Sequence, residues 1–309
     1  MPHDDVFGRF INQVIEPSPQ FIRILMVGDV VGRPGRKVLK EVLDRFRATV
    51  YPDLVTMNAE NVAGGFGITT RIHDDLLLAG VDVLTMGNHW KDKADIHALR
   101  KSSAAIVLPH NLPDVEGVTA IREFAIRRTS RVARVVNLMG LFAMKETYGN
   151  PFFFLNDVHP MLASEREAGR SIVLVDFHGE ASSEKQAVAW QLNGVCAALI
   201  GTHTHTPTSD ERITSRGTAF LTDVGMTGPY GSVIGMDIER TLPRYFAKDQ
   251  KKRAHEVADV DPWFCGFFIE IDPRTGLSER AHRMQYRSAE ARWIISTVQR
   301  SPAAAGSSV

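Results

Sequence analysis

The segment Phe21-Ile22-Arg23-Ile24-Leu25-Met26-Val27-Gly28-Asp29 decides the fold class. It is apolar from Phe21 to Val27 except at Arg23, as a strand buried on both faces reads. Gly28-Asp29 places a turn and a carboxylate at its C-terminal end. Moving outward, Pro34 to Thr49 carries Val38, Leu39, Val42, Leu43 and Phe46 at helical spacing, which predicts a helix. A second strand is expected at Leu54–Met57, ending at Asn58-Ala59-Glu60-Asn61, and a helix from about Arg71 to Ala79. A third strand, Val81–Met86, ends at Gly87-Asn88-His89. Further strands are expected at Ala105–Leu108, Val132–Leu138, Ser171–Phe177, Cys196–Ile200, Phe220–Leu221 and Phe264–Ile271. Further helices are expected near Asp157–Glu167 and Ser183–Trp190. Strand–helix alternation of this kind predicts an α/β fold with a largely parallel central sheet. The strand-dense region from Val118 to Leu138 reads as a second sheet or an edge hairpin.

A chain of 309 residues with 44% hydrophobic and 23% charged residues has globular composition and excludes a disordered or fibrous protein. Thirty-six basic residues balance thirty-six acidic ones, so no bulk charge points to nucleic acid or an acidic membrane. A local basic patch is invisible to such a sum. Two cysteines, Cys196 and Cys265, make no disulfide framework, and each sits in an apolar run that predicts core packing. The N-terminus lacks the apolar segment of a signal peptide, and no run approaches the ~20 apolar residues of a membrane span. A soluble, cytoplasmic protein is expected. Residues 1–20 read as an N-terminal extension, 21–299 as a single domain and 300–309 as a flexible tail.

The polar residues with chemical potential fall at strand C-termini, where open α/β sheets bind ligands. Asp29, Glu60, Asn61, Asn88, His178, His203 and His205 are all metal-ligating types, and His89 stands beside them. His203 and His205 are two apart, so in extended chain both point one way. Asp176 is placed to orient His178. Singly, each has an ordinary alternative: solvated loop histidines, turn asparagines, or Asp29 as a helix cap. Gly28–Gly35 lacks the spacing of a dinucleotide or phosphate loop. Together the seven exceed one tetrahedral site, and mixed oxygen and imidazole donors suit iron, manganese or zinc. A two-metal site is the natural reading.

These residues sit in long motifs: GDVVGRPGRK at Gly28–Lys37, NAENVAGGFGIT at Asn58–Thr69 and GNH at Gly87–His89. VDFHGEASSEK follows at Val175–Lys185, GTHTHTPTSDERI at Gly201–Ile213 and TDVGMTGPYGSVIG at Thr222–Gly235. In that order they resemble the calcineurin-like metallophosphoesterases, and more narrowly the YmdB-type family, similar to 2′,3′-cyclic-nucleotide 2′-phosphodiesterases. The resemblance implies an α/β metallophosphoesterase sandwich with central mixed sheets flanked by helices. It implies two metal ions of iron or manganese type. Asp29, Glu60, Asn61 and His205 would hold one; Glu60, Asn88, His178 and His203 would hold the other; His89 would donate a proton. Where the wider superfamily has a histidine this chain has Val31, and Glu60 replaces the usual bridging aspartate; both changes match the subgroup. Where the subgroup reads GNHTWDK, this chain has Trp90-Lys91-Asp92-Lys93 after His89, so the local shape beside the proton donor differs.

The implied reaction is hydrolysis of a small cyclic nucleotide at the 2′ bond, giving a 3′-nucleotide, by a water activated between the cations with His89 as general acid. RNA ends are further candidate substrates, and a homo-oligomer is implied. The alternatives are a phosphomonoesterase or protein phosphatase with the same metals, or a regulatory metal-binding protein with little catalysis. The Gly64-Gly65-Phe66-Gly67 loop reads first as a tight turn with Phe66 in the core, and second as a base-stacking loop. Thr227-Gly228-Pro229-Tyr230 would line the pocket or a subunit interface. The basic run Lys248–Arg253 reads as a solvated helix end.

Overall fold

The structure, a computed structural model, describes residues 20–49, 52–112, 121–144, 149–247 and 255–301. The N-terminal extension but for Gln20, the basic run 248–253, the first residues of the 118–138 region and the tail from 302 lie outside the described residues. The largely parallel central sheet expected from the alternation is instead two mixed sheets, as a sandwich requires. The parallel strands fill one half of the first sheet, out to one edge, and the middle of the second; antiparallel strands extend both.

In the first sheet, β1 (Ile22–Asp29), β2 (Leu54–Asn58), β3 (Val83–Thr85) and β4 (Ile106–Val107) run parallel. Beyond β1 the order continues antiparallel through β12 (Pro262–Asp272), β13 (Leu277–Arg287) and β14 (Arg292–Gln299), and the short β11 (Gly228–Pro229) also pairs with β12. In the second sheet, β6 (Val132–Met139), β7 (Ser171–His178), β8 (Ala198–Thr202) and β10 (Ala219–Leu221) are parallel. β5 (Arg122–Ala125) and β9 (Arg212–Ile213) close its edges antiparallel. The strand-dense region therefore belongs to this second sheet.

Period-two alternation builds the layers. Ile22, Ile24 and Met26 of β1 face the second sheet and pack with Val135, Leu174 and Ile200. Leu25 and Val27 face the other way, onto Val38, Leu39, Val42, Leu43 and Phe46 of α1 (Gly32–Arg47). All eight residues of β1 are buried, which is why it reads as one apolar run. Arg23, the exception, is opposite Glu270 in the β1–β12 register and forms a buried ion pair with it at 3.5 Å. On the far face of the second sheet, Val173, Val175 and Phe177 pack against α4 (Pro151–Glu167) and α5 (Ser182–Gln191). Helix α4 begins six residues earlier than its periodicity suggests, because Asn150 caps it through Phe152 N–H and Pro151 occupies its first turn. Two shorter helices, α2 (Thr70–Leu78) and α3 (Ile96–Ser102), connect strands of the first sheet, and α6 (Ile238–Phe246) precedes β12. Cys196 and Cys265 are fully buried, and burial pushes both thiols up to about 12. None of the helices described is long and apolar enough to cross a membrane.

The parallel strands of both sheets end on the same edge of the sandwich. His203, just past β8, donates its N–H to Asp29 Oδ2 at the end of β1, 3.0 Å away, and so joins the two sheets there.

Candidate active site

Eight predicted residues come together on that edge. Asp29 ends β1, Glu60 and Asn61 follow β2, and Asn88 and His89 follow β3. His178 ends β7, and His203 and His205 follow β8.

His178 is the hub. Its Nε2 lies 3.1 Å from Asn88 Oδ1, 3.2 Å from Glu60 Oε1 and 3.1 Å from His203 Nδ1. The ligand atoms of Glu60, His178 and His203 all fall within 4.8 Å of one another. Burial opposes a charge on His178, but Glu60 and Asp29 outweigh it and raise the imidazole to about 9. Burial likewise pushes Glu60 up, yet His178 and the His89 N–H outweigh it and hold the carboxylate down at about 2. Burial and the neighbouring His178 pull His203 down to about 3, leaving it a neutral donor.

A second set of donors faces the same place. Asp29 is fully buried, and its Oδ1 accepts no hydrogen bond; burial lifts its carboxyl to about 6 despite His205 and His178. Asn61 is 3% exposed; its Nδ2 donates to Gly65 O at 2.9 Å while its Oδ1 is also without a partner. Two orphaned buried oxygens cost free energy unless something else satisfies them. His205 Nδ1 donates to Ile234 O at 2.8 Å, which leaves Nε2 as its lone-pair atom. Gly87 completes the cradle: a Cβ there would collide with Glu60 Oε2 and His178 Nε2. Carboxylate, amide and imidazole donors aimed at one buried space fit divalent cations of the transition series.

The backbone is bent to make this set. His203 and His205 have φ of +101° and +62°. Such left-handed conformations are costly for non-glycine residues and persist only when their surroundings enforce them.

His89 stands at the rim. Its backbone N–H donates to Glu60 Oε2 at 2.9 Å, and its Nδ1 pairs with Asp92 Oδ2 at 2.7 Å. The displaced Trp90 is buried in the core, so the altered segment still delivers a carboxylate to His89. Phe66 is half-buried and edge-on to His89 and His255, with ring centroids 4.8 and 5.3 Å away. The expectation of Phe66 in the core is thus corrected. Three glycines of its loop, Gly64, Gly65 and Gly67, take positive φ and turn it toward the site. Thr227-Gly228-Pro229-Tyr230 backs the site: Thr227 N–H donates to Asp29 O at 2.7 Å, and Tyr230 stacks on Trp263.

Asp176 does not bond His178 directly, contrary to the sequence reading. It accepts from Thr85, from Thr202 Oγ1 at 2.7 Å and from Asn58 Nδ2 at 3.4 Å. Thr202 Oγ1 and Asn58 Nδ2 then meet His178 Nδ1 at 3.0 and 3.3 Å. A Thr202 hydroxyl that donates to Asp176 accepts from His178 Nδ1–H, which turns the Nε2 lone pair toward the site. Sequence reasoning missed Asn58, Thr202 and Asp92. Only Asp92 carries a local signal, three residues after His89 in a turn. It also missed the sealed pair of Lys185 Nζ and Asp223 Oδ2, 2.9 Å apart behind the histidine loop.

Comparison with known proteins gives the family. A model of the YmdB-like protein family matches residues 25–284. The chain is 36% identical over 263 residues to a 2′,3′-cyclic-nucleotide 2′-phosphodiesterase of Bacillus subtilis (strain 168), covering 85% of this chain and 96% of that one. A crystal structure of a novel phosphatase from Mycoplasma pneumoniae superposes with a TM-score of 0.77 at 31% identity, covering 86% of this chain and 94% of that one. A hypothetical protein from Thermus thermophilus gives a TM-score of 0.71 at 32% identity, covering 89% of this chain and 97% of that one. The chain belongs to the YmdB-like family and is an enzyme of the phosphoesterase class.

Proposed function

We propose that this enzyme hydrolyses 2′,3′-cyclic nucleotides, breaking the 2′ bond to leave a 3′-phosphate, with two divalent cations of iron or manganese type. The observation that carries the reading is the convergence on His178 Nε2 of Asn88, Glu60 and His203 within 3.1–3.2 Å, beside the orphaned oxygens of Asp29 and Asn61. Glu60, Asn88, His178 and His203 would hold one cation; Asp29, Glu60, Asn61 and His205 would hold the other. Glu60 is common to both sets; its Oε1 lies beside His178 Nε2 and its Oε2 accepts the His89 N–H. When bound, such a pair supplies a water acidified toward neutrality and offsets the phosphoryl charge.

The chain's own groups do the rest. Asp92 accepts from His89 Nδ1–H and orients the ring, so that the imidazolium presents its second proton, on Nε2, at the rim. As water oxygen bonds phosphorus, the phosphorus–O2′ bond breaks and O2′ takes the His89 Nε2 proton. Phe66 gives the nucleoside an apolar edge next to that proton. The test is turnover of 2′,3′-cyclic AMP by manganese- or iron-loaded protein, with product identification and an Asn88→Ala control. Release of 3′-AMP that fails in the control supports the reading. No turnover by protein verified to hold two metals overturns it.

A further inference from the structure

We infer that the groove between α1 and α2 is a track for a single-stranded oligoribonucleotide whose cyclic 3′ end occupies the metal site. This rests on the cyclic-phosphodiesterase reading and extends its substrate from mononucleotides to RNA ends. The chain as a whole is neutral, yet Gly32–Arg47 carries six cationic side chains against two acidic ones. Five of the six, Arg33, Arg36, Lys37, Lys40 and Arg47, line one groove of about 560 Å³, with Asp75 as its single carboxylate. Their spacing puts them on one face of α1, and from Arg33 to Arg47 they span about 21 Å at the helical rise.

The upper end of the groove adjoins the backbone that carries Asn61. Gly32 N–H donates to Asn61 O at 3.0 Å, and Arg36 reaches the carbonyl of Val62, the residue after Asn61. Arg33, the next residue of α1, is exposed at this upper end. At the lower end Arg47 donates to the carbonyls of Leu78 and Ala79, which ties α1 to the end of α2. Asp44, the exposed acid on this part of α1, is engaged by Lys40 at 2.6 Å and Arg47 at 2.9 Å. Positive charge toward the upper end is therefore left for an outside anion.

The groove is also apolar beneath its cations. Leu39 and Leu76 are buried in its floor, and Leu78 stands 82% exposed at its edge. Cations in a row over an apolar surface suit a ligand with repeated phosphates and flat bases, which is a single strand. The deep groove of duplex RNA would not present its bases to such a floor.

The experiment compares metal-loaded wild type and Arg33→Gln/Lys37→Gln on 2′,3′-cyclic AMP and on a hexaribonucleotide with a 2′,3′-cyclic terminus. In parallel, fluorescence anisotropy follows a labelled hexaribonucleotide carrying a 3′-phosphate. The expected result is a kcat/KM about tenfold higher for the hexamer than for the mononucleotide at low salt. Its affinity should fall with salt at a log–log slope of about −2, as for three neutralised phosphates, and near −0.7 in the double variant. The variant should lose the length-dependent gain and keep mononucleotide turnover. Equal kcat/KM for both lengths in wild type, equal losses on both substrates, or displacement of the hexamer by an acidic peptide of the same charge would each overturn the track. If neither substrate turns over, the catalytic reading falls alone, and anisotropy still decides: salt-sensitive binding lost in the variant supports the groove, and no binding rejects it.

Discussion

Lys185 Nζ and Asp223 Oδ2 stand 2.9 Å apart with both side chains sealed from solvent, directly behind the histidine loop. Asp223 also accepts from the N–H of Thr204, at 3.2 Å, between the two left-handed histidines. The pair therefore fixes the one stretch of backbone that orients His203 and His205. Lys185→Met leaves a buried carboxylate unpaired and is expected to cost about 3–5 kcal/mol. Lys185→Met/Asp223→Asn should recover most of that stability but not metal content, because an amide in place of the carboxylate holds the loop less firmly. Thermal melts beside metal analysis check this; equal metal content in wild type and the double variant would show that the pair only supports the fold.

The His89–Asp92 pair separates proton donation from metal holding. His89→Ala is expected to retain metal and lose ~10²–10⁴-fold in kcat, the usual contribution of a general acid. Asp92→Asn keeps the imidazole but offers Nδ1–H no carboxylate, so a smaller kcat loss with an unchanged KM is expected. Metal analysis and steady-state kinetics on one preparation suffice. A His89→Ala protein with full turnover would remove His89 from the chemistry.

Gly87 tests the cradle without touching a ligand. A methyl group at this position meets Glu60 Oε2 and His178 Nε2 and has no room to move aside. Gly87→Ala is therefore expected to fold, by far-UV circular dichroism, and to bind cations at least tenfold more weakly. Wild-type affinity in calorimetry would mean the donors shift more freely than their burial implies.

Much of this site was legible because strand ends collect ligands and because the two inner strands are buried on both faces. Asp29 and His178 each follow an apolar run that only a covered strand explains. What escaped notice depends on tertiary partners. Asn58 and Thr202 are ordinary small polar residues until Asp176 is brought between them. Lys185 reads as a solvated helix residue in SSEK, and only the fold supplies Asp223. β13 escaped because charged residues interrupt its pattern; Arg283 is matched to Glu211 at 3.0 Å and Arg280 to Glu270 at 3.5 Å. The basic groove was hidden in a balanced total charge, since a composition sum has no geometry.

The charge state of the ligands makes metal binding and folding respond oppositely to pH. In the metal-free protein His178 keeps its proton up to about 9, facing a Glu60 held down at about 2. Its folded pKa lies above the ordinary 6.5, so its contribution to stability is complete below pH 6.5 and is lost as pH rises through about 9. Asp29, raised to about 6, acts in the same direction between its ordinary 3.8 and 6. Cation binding must expel the His178 proton, so apparent affinity is expected to rise about tenfold per pH unit and level off above about 9, more steeply below about 6 where Asp29 is also protonated. Titration calorimetry at about pH 7.5 in two buffers of different ionisation enthalpy should show close to one proton released per protein. Melts of metal-free protein should show its midpoint falling from about pH 7 to about 9.5 while that of loaded protein holds. Zero proton release would mean that His178 is already neutral, and that Glu60 and Asp29 do not hold the proton on its ring.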